Sequence, residues 1–159
     1  YRTRMKDRIK VNSSWTSYEN KIPDTTQEGL ESELKYSDLK QSISLLSHFA
    51  KSRTDSGGPN SRRPDLSYGI DYIKKITDSK LGTFNFNLNY RYIGNHLDWT
   101  GSKNEFVKSV DLMNMSVNKD WLGYNFSFNI SNLLNERFEK PATYSQNGRQ
   151  LTLGFKKLY

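Results

Sequence analysis

Cysteine is absent from all 159 residues. That excludes disulfides, thiolate metal sites and a cysteine nucleophile. Histidine occurs only twice, as His48 and His96, too far apart for metal-ligand spacing. No G-x-S-x-G elbow, P-loop or H-E-x-x-H stands anywhere in the chain. His96 with Asp98 is the kind of acid–base pair that any mixed polar loop yields, and Glu31 and Glu33, in phase on one strand face, read as solvated wall residues. A nucleophile beside a base is missing, so the chain reads as a non-enzyme with no metal and no cofactor. Long apolar runs are missing too: nothing approaches the roughly 18 residues that a membrane-crossing helix needs.

Hydrophobic residues make up 34% of the chain and charged residues 26%, with a mean hydropathy of -0.85. That is little for a soluble core. The net charge of +7 raises nucleic acid as a partner. Lys and Arg are nevertheless interspersed with Asp and Glu, and the longest basic cluster is Arg62-Arg63 on a Gly/Pro/Ser loop. A solvated distribution accounts for this charge, and nucleic acid is set aside. The first residues, YRTRMKDRIKV, carry no basic-then-apolar secretion signal and no initial Met. Either a signal has been removed or the chain is the C-terminal piece of something longer, and the second is the expectation carried forward.

Aromatics are plentiful, with 10 Tyr and 8 Phe, and they favour strands. In Leu81 to Tyr92, LGTFNFNLNYRY, the residues Phe84, Phe86, Leu88, Tyr90 and Tyr92 alternate with Asn85, Asn87, Asn89 and Arg91. A strand sends successive side chains to opposite faces, so this segment has one apolar and one polar face. The same alternation recurs in Leu30–Tyr36, with Glu31, Glu33 and Lys35 on the polar side. It returns in Gln41–Lys51, in Leu66–Tyr72, in Tyr124–Ser131 and in the last ten residues, QLTLGFKKLY. Residues 1–11 form a weaker strand with Met5, Ile9 and Val11 in phase. Phe106–Asn118 changes phase between Val110/Leu112 and Met113/Met115/Val117, which predicts a bulge or a covered interior face.

The spacing thus predicts an all-β chain of about eight antiparallel strands, each near the ~9–11 residues that cross a bilayer when tilted. Turns near 38, 78 and 120 are short; loops near 58, 100 and 140 are long. A membrane barrel sorts its connections in this way, and its apolar face meets lipid. The loop aromatics Trp99 and Tyr144 suit either contact with a bulky ligand or anchoring at the headgroup level, whereas Phe138 reads as an anchor.

Ile130 to Tyr159 resembles the C-terminal end of TonB-dependent outer-membrane receptors. The residues that carry the resemblance are Asn132, Leu133, Leu134, Asn135, Glu136 and Phe138, then Gly148 and Arg149, and a last strand closing on Tyr159. Lys157 stands where that family usually has an apolar or aromatic residue. Gly29–Leu34 looks like a Gly-(Val/Leu)-Glu pattern on one of the family's barrel strands. The resemblance implies that residues 1–159 are the C-terminal part of a 22-stranded outer-membrane β-barrel, without its plug. It implies uptake of a scarce bulky nutrient, cobalamin (the cobalamin-receptor-like branch is preferred) or a ferric siderophore, in the bacterial outer membrane. The partners implied are outer-membrane lipid and lipopolysaccharide, a small-molecule ligand (cobalamin or an iron chelate), and TonB through an N-terminal region not in this chain. The barrel-assembly machinery would read Leu151, Leu153, Phe155 and Tyr159. Candidate ligand contacts on the long loops are Trp99, Tyr144, Arg62 and Arg63. Two other readings stay open: a complete small eight-stranded barrel acting as anchor or adhesin, and a soluble carbohydrate-binding β-sandwich. The barrel-segment reading predicts an open curved sheet with unpaired edges at its first and last strands.

Overall fold

The computed structural model describes all residues except 7, 13, 22–23, 55–61, 79, 81, 101–102 and 158–159, and the side chains at 8, 10, 21, 54 and 99. Alternating apolar and polar residues make strands throughout. In chain order these are β1 (Arg2–Met5), β2 (Arg8–Val11), β3 (Tyr18–Lys21), β4 (Thr25–Ser37), β5 (Gln41–Thr54) and β6 (Leu66–Asp78). Then follow β7 (Gly82–Ile93), β8 (His96–Trp99), β9 (Asn104–Val107), β10 (Val110–Trp121), β11 (Tyr124–Ser131) and β12 (Gln150–Lys157). Eight of them form one antiparallel sheet in the order β1-β4-β5-β6-β7-β10-β11-β12, and β2-β3 and β8-β9 are separate hairpins. The sheet is a meander, open at β1 and β12 among the described residues, and not a closed eight-strand ring.

The register keeps the two faces separate over most of the sheet, with Ile73 on the polar side and Asp111 on the apolar side as exceptions. Tyr36, Ile43, Tyr72, Leu88, Met115, Ile130 and Leu151 are successive cross-strand partners from β4 to β12. One residue along each strand, the row becomes Ser37, Ser42, Ile73, Asn87, Ser116, Asn129 and Thr152. The apolar row and its neighbours are not covered by a second layer: Leu45 stays 42% exposed, Tyr68 41%, Phe126 42% and Leu153 81%. A soluble sandwich would bury these residues against another sheet. The buried apolar residues among those described are only Ala50, Val107, Val110 and Ala142. Polar-face Ser44 is nonetheless buried.

Neighbouring antiparallel strands place alternate connections at opposite ends of the sheet. One end carries the short turns 38–40, 79–81 and 122–123; the other carries 6–24, 55–65, 94–109 and 132–149. The expected sorting of loops by length holds at every connection.

Three expectations need correction. Residues 1–11 are not one strand: β1 joins the sheet through Arg2–Met5, and β2 turns away to pair with β3. The loop from Gly94 contains the β8-β9 hairpin, in which Phe106 pairs with Leu97, so the sixth long strand begins at Val110 rather than at Phe106. The suspected bulge is absent, since β10 pairs without interruption with β7 from Val110 to Asn118. The change of phase is instead an interior face covered at its upper end, where Val110 is buried.

The short turns are locally determined. Asp38 Oδ1 accepts the amides of Lys40 (2.7 Å) and Gln41 (2.9 Å), and those two donors hold the Asp38 carboxyl below the usual carboxylate range. At the β10-β11 turn both central residues, Leu122 and Gly123, have positive φ, 50° and 76°, as in a type I′ hairpin. Leucine is strained there and glycine is not.

Exposed Leu122→Asn is expected to raise the thermal unfolding midpoint, by about 1 kcal/mol of relieved backbone strain, and Gly123→Ala to lower it by a similar amount. Because the folded Asp38 pKa is depressed, its contribution is complete above the ordinary carboxylate pKa of about 4 and is lost as pH falls through the folded value. An amide chemical-shift titration of Lys40 and Gln41 should therefore show a midpoint below about 4 that disappears in Asp38→Asn.

Candidate functional site

The polar face is a continuous field of paired groups built from alternate positions of β4 to β10. On its upper half Glu31 Oε1 meets His48 Nδ1 at 3.1 Å. The Arg91 guanidinium donates to Asp71 Oδ2 at 2.6 Å and to the Tyr90 carbonyl at 2.8 Å. Asn89 also donates to Asp71, Asn114 Nδ2 to Asn89 Oδ1 at 3.3 Å, and Asn87 Nδ2 to Ser116 Oγ at 2.9 Å. An open groove of about 630 Å³ runs over this region, walled by Glu31, Glu33, Leu46, His48, Ser67 and Arg91. Its lining mixes the carboxylates of Glu31 and Glu33 with His48, Ser67, Arg91 and apolar Leu46.

The second feature lies at the long-connection end. Asp98 on β8 is only 1% exposed. One of its carboxylate oxygens pairs with Arg62 Nε, and the other accepts the Ala142 amide at 2.8 Å. The Arg62 amide also donates to the Leu97 carbonyl at 2.6 Å. A single carboxylate therefore ties three long connections together, through residues 62, 98 and 142. Arg63 Nη1 donates to Gln27 Oε1 at 2.6 Å, and Arg53 grips Asp65 with two bonds of 2.6 and 3.2 Å. Of the sequence-derived ligand contacts, Arg62 and Arg63 thus brace loops against the sheet, while Tyr144 projects into solvent, 66% exposed. Trp99 pairs with Asn104 through its backbone at the tip of the hairpin; its side chain lies outside the described residues.

The third feature is the Asn132–Asn135 and Gly148-Arg149 pair of segments, which the sequence marked and the structure explains. Asn132 has φ 51° and is buried. Its side chain donates to the carbonyls of Glu136 (2.9 Å) and Asn147 (3.2 Å) and accepts the Glu136 amide (3.0 Å), while its own amide donates to Asn114 Oδ1 (3.0 Å). Leu133 N reaches the Met113 carbonyl at 2.7 Å. Asn135 Oδ1 accepts the Arg149 amide at 2.9 Å, and Arg149 Nε returns a bond to the Leu133 carbonyl at 3.0 Å. A Cβ on Gly148 would sit 2.8 Å from Asn135 Oδ1. The two segments form a staple that closes the 132–149 loop at its base. Leu151, Leu153 and Phe155 stand exposed on the edge strand β12; Tyr159 lies outside the described residues.

Sequence reasoning set Asp98 aside as half of an incidental pair with His96 and missed its place between Arg62 and Ala142. A hairpin signal was present, two short alternating segments around Gly101, but the burial of Asp98 depends on residues 36 and 44 positions away, which no local pattern reports.

The fold matches solved structures. The ferripyoverdine receptor of the outer membrane of Pseudomonas aeruginosa, bound to ferripyoverdine, aligns over 97% of this chain at a TM-score of 0.75 and 12% identity. P. aeruginosa FpvA bound to heterologous pyoverdines aligns at 0.78 and 13% over the same share, and the FpvAI–pyocin S2 complex at 0.77 and 13%. The chain spans about a quarter of each matched protein, 23% of the first two and 24% of the third. No family model and no curated protein matches it. The fold is therefore an antiparallel section of the kind found in a receptor barrel. The preference for a cobalamin-receptor-like branch draws no support from these matches.

Asn132→Ala should cost about 1–3 kcal/mol, because it removes the three side-chain hydrogen bonds that hold Glu136 and Asn147 and leaves alanine at a positive φ. The measurement is the thermal midpoint together with the rate of trypsin cleavage at Arg137 and Arg149, which should rise. Asp98→Asn should accelerate cleavage at Arg62 and Arg137 together, with a smaller change in the midpoint.

Proposed function

We propose that this chain is part of the wall of a TonB-dependent outer-membrane receptor, a 22-stranded barrel that takes up a scarce bulky nutrient. The observation that carries this reading is the exposed apolar row from Tyr36 to Leu151, one residue from a polar row, with every long connection at one end. In a barrel the apolar row faces hydrocarbon and the polar row lines the lumen. Each strand then has all its backbone groups paired to neighbours, as the bilayer requires. The open margins at β1 and β12 are where further strands of the same barrel continue the ladder. Long connections then lie outside the cell, and short turns face the periplasm.

Within this reading the chain performs no covalent chemistry. Ligand is captured at the long-connection end, with Tyr144 and Trp99 offering aromatic contact area and Arg62 and Arg63 holding the loops that present them. The polar groove beneath supplies exchangeable hydrogen bonds along the path inward. Energy comes from TonB acting on a plug outside these residues. Leu151, Leu153, Phe155 and Tyr159 present the aromatic-ended strand to the barrel-assembly machinery, and outer-membrane phospholipid and lipopolysaccharide surround the wall. A ferric siderophore is favoured over cobalamin as the ligand class, since the matched receptors include one solved with ferripyoverdine.

The absence of cysteine makes the test direct, because single cysteines introduced into this chain are unambiguous. In outer-membrane preparations, bimane attached at Leu45→Cys, Leu88→Cys or Leu153→Cys should be quenched by brominated lipids. Glu33→Cys and Asn87→Cys should instead react with a small water-soluble thiol reagent. Equal access of both sets to water would sink the wall reading, and quenching of the polar set would reverse it.

A further inference from the structure

Among the described residues, every arginine side chain but one engages another group of the chain. Arg2, Arg4, Arg53, Arg62 and Arg91 pair with carboxylates, Arg63 holds Gln27, and Arg149 holds the Leu133 carbonyl. The exception is Arg137, exposed in the 132–149 connection; Lys108, between β9 and β10, is likewise without a partner among the described residues. These two cations line one cleft of about 290 Å³, together with Phe106, Ser109, Phe138 and Glu139. Phe106 is 61% exposed and Phe138 half-buried. A second cavity of about 410 Å³, reaching Ser145 and Gln146, adjoins the first along the Arg137–Phe138–Glu139 strip. Glu139 is the only carboxylate lining either cavity among the described residues, and its Oε2 accepts the Thr143 amide at 2.6 Å. Two cations thus face one carboxylate that is already in local use.

Both walls of the cleft are set by the backbone. On one side the Phe138 carbonyl accepts the Gln146 amide at 2.9 Å and Glu139 bridges Ser145, so the chain doubles back on itself there. The Lys140 amide donates to the Tyr144 carbonyl at 3.0 Å, and Gln146 Nε2 to the Lys140 carbonyl at 2.7 Å. The Asn132 staple fixes the base of this excursion, and the Ala142 bond to Asp98 fixes its tip. On the other side Lys108 and Ser109 join β9 to β10 between buried Val107 and Val110. Cations carried on a fixed backbone meet an anion with little further ordering. The Arg137 guanidinium offers parallel donors that match the two oxygens of a carboxylate, and Lys108 adds a point charge. The rings of Phe106 and Phe138 supply flat apolar contact. The group that uses all four is a planar anion carried on an aromatic ring.

We propose that Lys108 and Arg137, with Phe106 and Phe138, form a subsite for an aromatic carboxylate group, through which the long-connection end of the wall selects anionic over neutral ligands. This rests on the receptor-wall reading and adds a ligand class to it. Charge recognition then lies not with Arg62 and Arg63, which brace loops, but with Arg137 and Lys108, which are available. Exchanging a carboxylate for its amide keeps the shape and removes the charge. The charge-assisted hydrogen bonds lost in that exchange correspond to about tenfold in affinity.

The test uses single cysteines in outer-membrane preparations, with salicylate and its neutral isostere salicylamide as the probes. Alkylation of Ser109→Cys, in the cleft, should be halved by salicylate at a concentration about tenfold lower than salicylamide requires. Asn20→Cys, exposed on β3, should be protected by neither. The preference for salicylate should vanish in K108Q/R137Q. It should persist in K108R, and in K140Q, whose side chain does not line the cleft. Equal protection by the two probes at 109, no protection by either, a preference that survives K108Q/R137Q, or one lost in K108R or K140Q overturns the subsite and leaves the wall reading standing. Failure of brominated lipids to quench bimane at Leu45→Cys would instead overturn the wall reading, on which the assignment of this cleft to a captured ligand depends.

Discussion

The structure depends on one constraint: the register of seven consecutive strand pairings must stay in phase. Side chains alternate with period two, so a slip of a single residue at any pairing would exchange faces for every strand beyond it. At β5-β6 a slip would set Leu45 beside Gly69 or Asp71 in place of Ile70. Among the described residues no second layer covers the apolar face to absorb such a change. The short turns hold phase at one end through local chemistry, the Asp38 carboxylate and the Leu122-Gly123 backbone. At the other end phase is held by groups distant in sequence.

Those distant groups form two ties of different kinds. The Asn132 staple is a backbone device. It satisfies carbonyls and amides where β11 leaves the sheet and where β12 begins, so a long excursion can start and finish at fixed positions. The Asp98 clasp is electrostatic: a buried carboxylate shared between a guanidinium and a main-chain amide. A buried charge is tolerated only when it is paired and hydrogen-bonded in this way. The staple fixes where the final loop is rooted, and the clasp fixes how three loops stand relative to one another. Loops tied together retain less conformational freedom than loops that move independently.

The two ends of the sheet also differ in the chemistry of their cations. Arginines gather at the long-connection end and in the upper wall, where Arg53, Arg62 and Arg91 engage carboxylates with directional bonds. Lysines alone populate the short-turn end. The planar fork of arginine suits fixed protein partners, and the flexible ammonium suits a mobile, interchangeable one.

Much of this was legible in the sequence because its cause is local. The two-faced character of Leu81–Tyr92, the all-β class, the eight strands and the sorting of short turns from long loops all follow from period-two patterning and turn residues, which a linear reading sees. The motif residues Asn132, Asn135, Gly148 and Arg149 could be marked, but their mutual contact could not. Tertiary structure alone decided the remainder. The detachment of β2-β3, the start of β10 at Val110 with no bulge, the burial of Asp98 and the use of Arg62 and Arg63 as braces arise from contacts between residues tens of positions apart. Alternation specifies which face a side chain takes; which strands and loops become neighbours is decided by closing those long-range contacts, and only the folded chain displays them.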